Sequence, residues 1–430
     1  MRFVALVIII LWVHLGDLGS AWLYDGGAWP GAGVLRNLRD LLVIVLAGCC
    51  LLSVRMPTRL LLPILAYGSL AMLYLLFNRG GVSFGILVGS FGTLLIPMLF
   101  FLAGYYCVRE RQQLRSCAAL LITLGIASTL FGAWEQRNTH FWIDTLAYPS
   151  YMLHVKGLLL GAQPDTGLPW NFYSNLELDR RAAGLLASPL AQGMFLAVVA
   201  LTAIAWLERR ARWFGLALCG LMFIGIWMSG TRGAMLAGSL ALVGYLMTGT
   251  TLFRSRYSRL VIAGCACIAI AIASYGIVLI SIRFQDGSTI GHWMALQKNL
   301  QDLPKVLLLG AGLGEQGAIA AQESRPAIGG GEGAIFSIAF QLGLPAALLF
   351  LYFYANVALA LWRGYRQHRE PMALAVFWLS LGVATTLISS EHVLAVSGTG
   401  AFWLLCGATL RSLPKTQHYA AGMRYEYSAR

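Results

Sequence analysis

The chain has 430 residues, of which 58% are hydrophobic and only 11% charged, and it carries a formal charge of +13. That apolar content excludes a soluble globular domain; repeated runs near the ~20 residues that cross a bilayer make it an all-α, polytopic integral membrane protein. The positive surplus invites a nucleic-acid reading, but its confinement to short loops on one side of the apolar runs excludes it.

In chain order, about twelve candidate spans appear, near 3–16, 38–54, 59–77, 83–107, 116–134, 185–207, 213–229, 233–250, 260–282, 333–362, 371–390 and 395–412. The first is short and flanked by Arg2 and by the small residues Gly19-Ser20-Ala21, so it reads either as a span or as a signal peptide. The spans divide the chain into N-terminal helices (1–134), a first long loop (135–184), central helices (185–282), a second long loop (283–332), C-terminal helices (333–412) and a short tail (413–430).

Charge sets the expected orientation. Arg55/Arg59, Arg109/Arg111/Arg115, Arg209/Arg210/Arg212, Arg254/Arg256/Arg259 and Arg363/Arg366/Arg369 fall in alternate short loops, which places those loops and both termini in the cytoplasm. The two long loops then lie outside, rich in Gly, Pro and aromatic residues, and the outer face is where the protein is expected to work. The eight cysteines all sit in or beside apolar runs, and no cysteine–histidine spacing points to a metal. In the second loop, 292–300 reads as an amphipathic helix, and LGAGLG (309–314) as a turn packed close to the helices, since no β-strand precedes it.

The stretch WMSGTRGAMLA, Trp227–Ala237, sets a polar knot between two apolar runs, and its Arg232 is the only charge between Arg212 and Arg254. Arg180-Arg181 close the first long loop and Arg283 opens the second, so these arginines share the outer boundary. Converging guanidiniums repel one another unless they hold an anion, and the planar fork matches phosphate oxygens. The alternative is snorkelling, or pairing with Glu177, Asp179 or Asp286. Glu332, at the end of a glycine-rich run, is the candidate acid or base, or else a helix N-terminal charge. His292 is the other candidate base; His140 and His154 have weaker claims. Glu391-His392 either lines the same face or caps a helix. The aromatics of the first loop, Trp134 to Tyr173, are read mainly as an interfacial belt, with a minority as a glycan platform.

Several of these segments resemble the bacterial O-antigen ligase and O-antigen polymerase superfamily. SGTRGAMLA (229–237) is similar to its S-x-[ST]-R-[GS]-[AG] signature. Arg181-Ala182-Ala183-Gly184 with Ser188-Pro189 resembles its R-x-x-G followed by proline, Arg283 the arginine entering the large periplasmic loop, 307–317 its G-x-G-x-G segment, and 334–350 the helix after that loop. Ligases place a histidine just before that helix; here stands Glu332-Gly333, which is closer to the polysaccharide polymerases. The resemblance implies a GT-C-type, metal-independent glycosyltransferase in the bacterial inner membrane, acting at the periplasmic face. It implies an undecaprenyl-pyrophosphate-linked oligosaccharide as donor, with no cofactor. Arg181, Arg232 and Arg283 would grip the pyrophosphate, and Glu332 or His292 would activate the acceptor. The acceptor is another lipid-linked repeat unit in a polymerase and lipid A–core in a ligase. A chain-length regulator or export proteins are the expected partners.

Overall fold

The computed structural model describes residues 1–77, 82–156, 163–174, 179–249, 287–317 and 328–414, with scattered positions between 255 and 283. The described residues are 79% helical, and no strand occurs among them. Seven described helices are long and apolar enough to cross a membrane: α1 (Arg2–Tyr24), α3 (Thr58–Leu76), α4 (Phe84–Cys107), α5 (Arg111–Glu135), α7 (Pro189–Leu207), α8 (Arg212–Ser229) and α12 (Leu344–His368). Between and after them come α2 (Gly33–Ser53), α6 (Tyr148–His154), α9 (Arg232–Thr248), α10 (Gly287–Asp302), α11 (Ala334–Leu342), α13 (Pro371–Ala384) and α14 (Val396–Ser412).

The centre is α7, PLAQGMFLAVVALTAIAWL, whose apolar window is 89% buried against 28% for α3. It is apolar on every face, as a helix enclosed by other helices must be. It packs against α5, α8, α9, α13 and α14. A second seam joins α4 to α14, where glycine permits backbone contact: a Cβ at Gly407 would lie 2.0 Å from the Phe101 carbonyl oxygen.

The helices differ from the apolar runs in three places. The run 3–16 continues as helix to Tyr24. The run 333–362 is divided at Gly343, where φ is +89° and a Cβ would lie 2.6 Å from the Leu308 carbonyl oxygen. Pro345 then starts the new helix, leaving α11 a half-helix whose N-terminus follows Glu332. In the run 371–390 the helix stops at Ala384, and residues 385–390 turn across the bundle end. Most of the candidate span 260–282 and the tail after 414 lie outside the described residues.

The first long loop builds a small core of its own from Trp142, Tyr148, Tyr151, Phe172 and Leu168, closed over Ala183 and Ala187. Most of its aromatics are therefore packing residues. Trp134 and Trp170, 48% and 44% exposed, are exceptions. In the second long loop the amphipathic segment forms α10, longer than 292–300, and Gly310 of LGAGLG lies against the α11 backbone.

Candidate functional site

A cavity of about 2200 Å³ opens between α2, α3, α4, the N-terminus of α9, α10 and the 388–397 turn. One wall is apolar, with Leu41, Ile44, Ile86, Phe91, Leu95 and Leu99. The opposite end is polar and ionisable, with Arg181, Arg232, His292, Glu332, Glu391 and His392.

Arg181 is carried by a strap laid over the ends of α5 and α8. Its N–H donates to the Phe172 carbonyl (2.9 Å), and the next N–H, of Ala182, donates to the Met228 carbonyl (2.9 Å). The strap is anchored by Glu135, fully buried at the end of α5. Its carboxylate accepts from Arg180 Nη2 (2.7 Å), Trp142 Nε1 (2.6 Å) and the Ala183 N–H (2.6 Å). Arg180 is thereby turned away from the cavity, stacked over Phe172 and Tyr173. The neighbouring arginines thus part company: Arg180 holds the strap and Arg181 faces the cavity.

Arg181 donates from Nε to the Ser229 carbonyl (2.7 Å) and from Nη2 to Thr231 Oγ1 (3.1 Å), and it has no carboxylate partner among the described residues. The approach requires Gly230, the left-handed residue ending α8 (φ +61°), because a Cβ there would lie 3.0 Å from Arg181 Nε. Thr231 precedes α9 but does not cap it; its hydroxyl is given to Pro189 O and to Arg181 instead. The first turn of α9, carrying Arg232, therefore opens on the cavity with its amide dipoles uncapped by that side chain. Arg232 Nη1 donates to Thr289 Oγ1 of α10 (3.2 Å). Burial, and then the adjacent Arg232 charge, bring the Arg181 guanidinium down to about 10. Both guanidiniums line the same cavity.

In the same polar lining His292 Nδ1 is hydrogen-bonded to Glu332 Oε2. With the proton assigned to Nδ1, Nε2 is left as an acceptor. Glu332 is held by a buried amide: Asn299 of α10 donates to its carbonyl (2.8 Å) and accepts from the Gly330 N–H (2.8 Å) and from Gln316 Nε2 (3.1 Å). Gly330 lies so close to α10 that a Cβ would be 2.2 Å from the Ala295 carbonyl oxygen. Gly330→Ala is expected to displace the Glu332 segment and lower the melting point, checked by thermal melting of the variant.

His392 sits beside Glu391 in the turn before α14, its carbonyl accepting from Thr399 Oγ1 (2.8 Å). Burial, then the charges of Arg181 and His292, lower its imidazole to about 4. The unfolded chain then takes up this proton first as pH falls. The fold accordingly loses stability between pH 6.5 and 4 and is unaffected by this group above 6.5. A melting series over that window should fall less steeply for His392→Gln than for the unaltered protein.

Of the residues marked in the sequence, Arg181, Arg232, His292 and Glu332 meet in one cavity. Arg283 is exposed and is not part of its described lining. His140 and His154 lie on the loop surface, bonded to Asp144 and Ser150. Glu177 and Asp286 lie outside the described residues; the carboxylate that pairs with Arg180 is Glu135, hidden in the sequence because it ends an apolar run. Thr289 and Asn299, which hold Arg232 and Glu332, carry no signal of their own in the sequence; only their contacts from α10 reveal them. The chain matches no protein-family model, and no curated protein matches it significantly.

Proposed function

We propose that the chain transfers a glycan from undecaprenyl pyrophosphate to a sugar hydroxyl at the outer face of the bacterial inner membrane, and that it polymerises exopolysaccharide or O-antigen repeat units. The observation that carries this reading is a single cavity with a long apolar wall, two adjacent arginines and a carboxylate–imidazole pair. A polyprenyl chain suits the apolar wall, pyrophosphate oxygens suit Arg181 and Arg232, and an acceptor hydroxyl suits the His292–Glu332 pair. The bond broken joins the anomeric carbon to the pyrophosphate oxygen; the bond formed joins that carbon to the acceptor oxygen. The acceptor proton passes to the His292–Glu332 pair, and the arginines hold the charge that develops on the departing pyrophosphate.

The same reading places about twelve spans in a GT-C-type arrangement, with both termini cytoplasmic. It assigns the leaving-group charge to arginine rather than to a metal, adds Arg283 as an outer guide for the donor, and leaves a chain-length regulator or export protein as partner. One observation favours a ligase to lipid A–core: His292 reaches Glu332 from α10 and so brings an imidazole to the entrance of α11, where ligases carry their histidine.

A strain lacking the protein separates the readings. Single repeat units accumulating on the lipid carrier indicate a polymerase; full-length polymer stranded on the carrier indicates a ligase. Repeat units trapped at the cytoplasmic face would indicate a transporter and overturn the proposal.

A further inference from the structure

At the far end of α5 from Glu135, about 37 Å away for a helix of 25 residues, a second and much smaller pocket of about 50 Å³ lies between α5, the α7–α8 turn and the start of α13. It shares no residue with the large cavity. Its charged lining is Arg111 and Arg115 from α5, Arg209 and Arg210 from the turn, and Glu370 before α13. Glu370 pairs with Arg111, and Arg209 Nη2 donates to the Arg369 carbonyl (2.7 Å). Arg115 and Arg210 have no side-chain hydrogen bond or ion pair among the described residues. The other nearby glutamates are committed: Glu208 accepts from Tyr245 in the interior, and Glu110 caps α5.

Basic residues in short loops follow from topology alone, but topology does not require that three segments bring four guanidiniums to one hollow with a single carboxylate. Arg115 and Arg209 lie close enough to Arg111 for their charges to act on it. A water needs ~10–15 Å³ of such space, so the pocket admits the oxygens of one phosphate and little more. Trp206 and Leu114 complete its wall, apolar surface of the kind that meets acyl-chain carbon just below a headgroup.

We propose that this pocket binds one phosphate group, supplied by the headgroup of an anionic phospholipid in the leaflet opposite the large cavity. Arg115 and Arg210 would donate to its oxygens, and the bound anion would join α5 to the α7–α8 turn and α13.

The test uses the full chain in nanodiscs of phosphatidylcholine with or without phosphatidylglycerol, comparing the unaltered protein with Arg115→Gln/Arg210→Gln. Thermal melting and native mass spectrometry of co-purifying lipid are the readouts. Phosphatidylglycerol should raise the melting midpoint of the unaltered protein and remain bound, with apparent affinity about tenfold weaker in the double variant. A parallel arm adds inorganic phosphate to phosphatidylcholine discs. A shift there that the variant loses, with no effect of phosphatidylglycerol, would retain a phosphate site but refute a lipid as its source. Equal retention and equal melting shifts in both proteins would overturn the site. The variant's melting point in pure phosphatidylcholine, expected to be unchanged, shows that it folds.

Discussion

Arg181→Ala should lower glycosyl transfer at least about a hundredfold while leaving the melting point nearly unchanged; Arg180→Ala should do the reverse. The two side chains are adjacent in sequence and opposite in role. Arg181 reaches into the cavity and, among the described residues, binds only a carbonyl and a hydroxyl, both neutral acceptors. Removing it costs the fold little and removes a charge placed for a departing anion. Arg180 is the ion-pair partner of Glu135, a fully buried carboxylate. Removing it strands that charge, at a cost of roughly 3–5 kcal/mol. Arg232→Ala should follow Arg181→Ala in transfer. Arg181→Lys should recover part of the loss, because it keeps the charge but not the fork. Transfer in membrane vesicles, read beside thermal melting of the same preparations, checks the whole set. Equal melting losses for Arg180→Ala and Arg181→Ala would break the division of roles.

The second large effect is expected at the carboxylate–imidazole pair. Glu332→Gln and His292→Asn should each lower turnover roughly a hundredfold to ten-thousandfold, within the range of general-base catalysis. The double variant should be little worse than either single one, because residues that act as a unit do not lose activity additively. Glu332→Gln retains a hydrogen-bonding side chain of the same size but loses the charge that supports a protonated imidazole. If Glu332 only closed the entrance to α11, glutamine would serve nearly as well. Single-turnover rates for the three variants, measured with enzyme in excess over donor, distinguish the cases. Additive losses would mean that the two side chains act separately.

The helical fold and the cavity arginines Arg181 and Arg232 were legible in the sequence because each rests on a local signal. Apolar runs of bilayer length mark the helices, and an isolated Arg232 between small residues marks the site. What stayed hidden depends on distant contacts. Gly343 and Pro345 mark the middle of an apolar run that reads as one span, and the approach of the Leu308 carbonyl shows why the helix breaks there. Glu135 ends an apolar run, and nothing nearby in the chain announces that it will hold Arg180 and the strap. His292 and Glu332 were separate candidates, 40 residues apart; α10 folding back against the glycine run makes them a pair. For Glu391-His392 the sequence allows a lining role or a cap, and the turn before α14 places them in the cavity wall.

The most direct measurement is release of undecaprenyl pyrophosphate by the purified protein in lipid vesicles supplied with a synthetic undecaprenyl-pyrophosphate-linked oligosaccharide. Transfer predicts one carrier freed for each new glycosidic bond, with the rate lowered at least about a hundredfold in Arg181→Ala and in Glu332→Gln. Intact donor, moved across the bilayer or left untouched while the protein remains folded, would contradict the account.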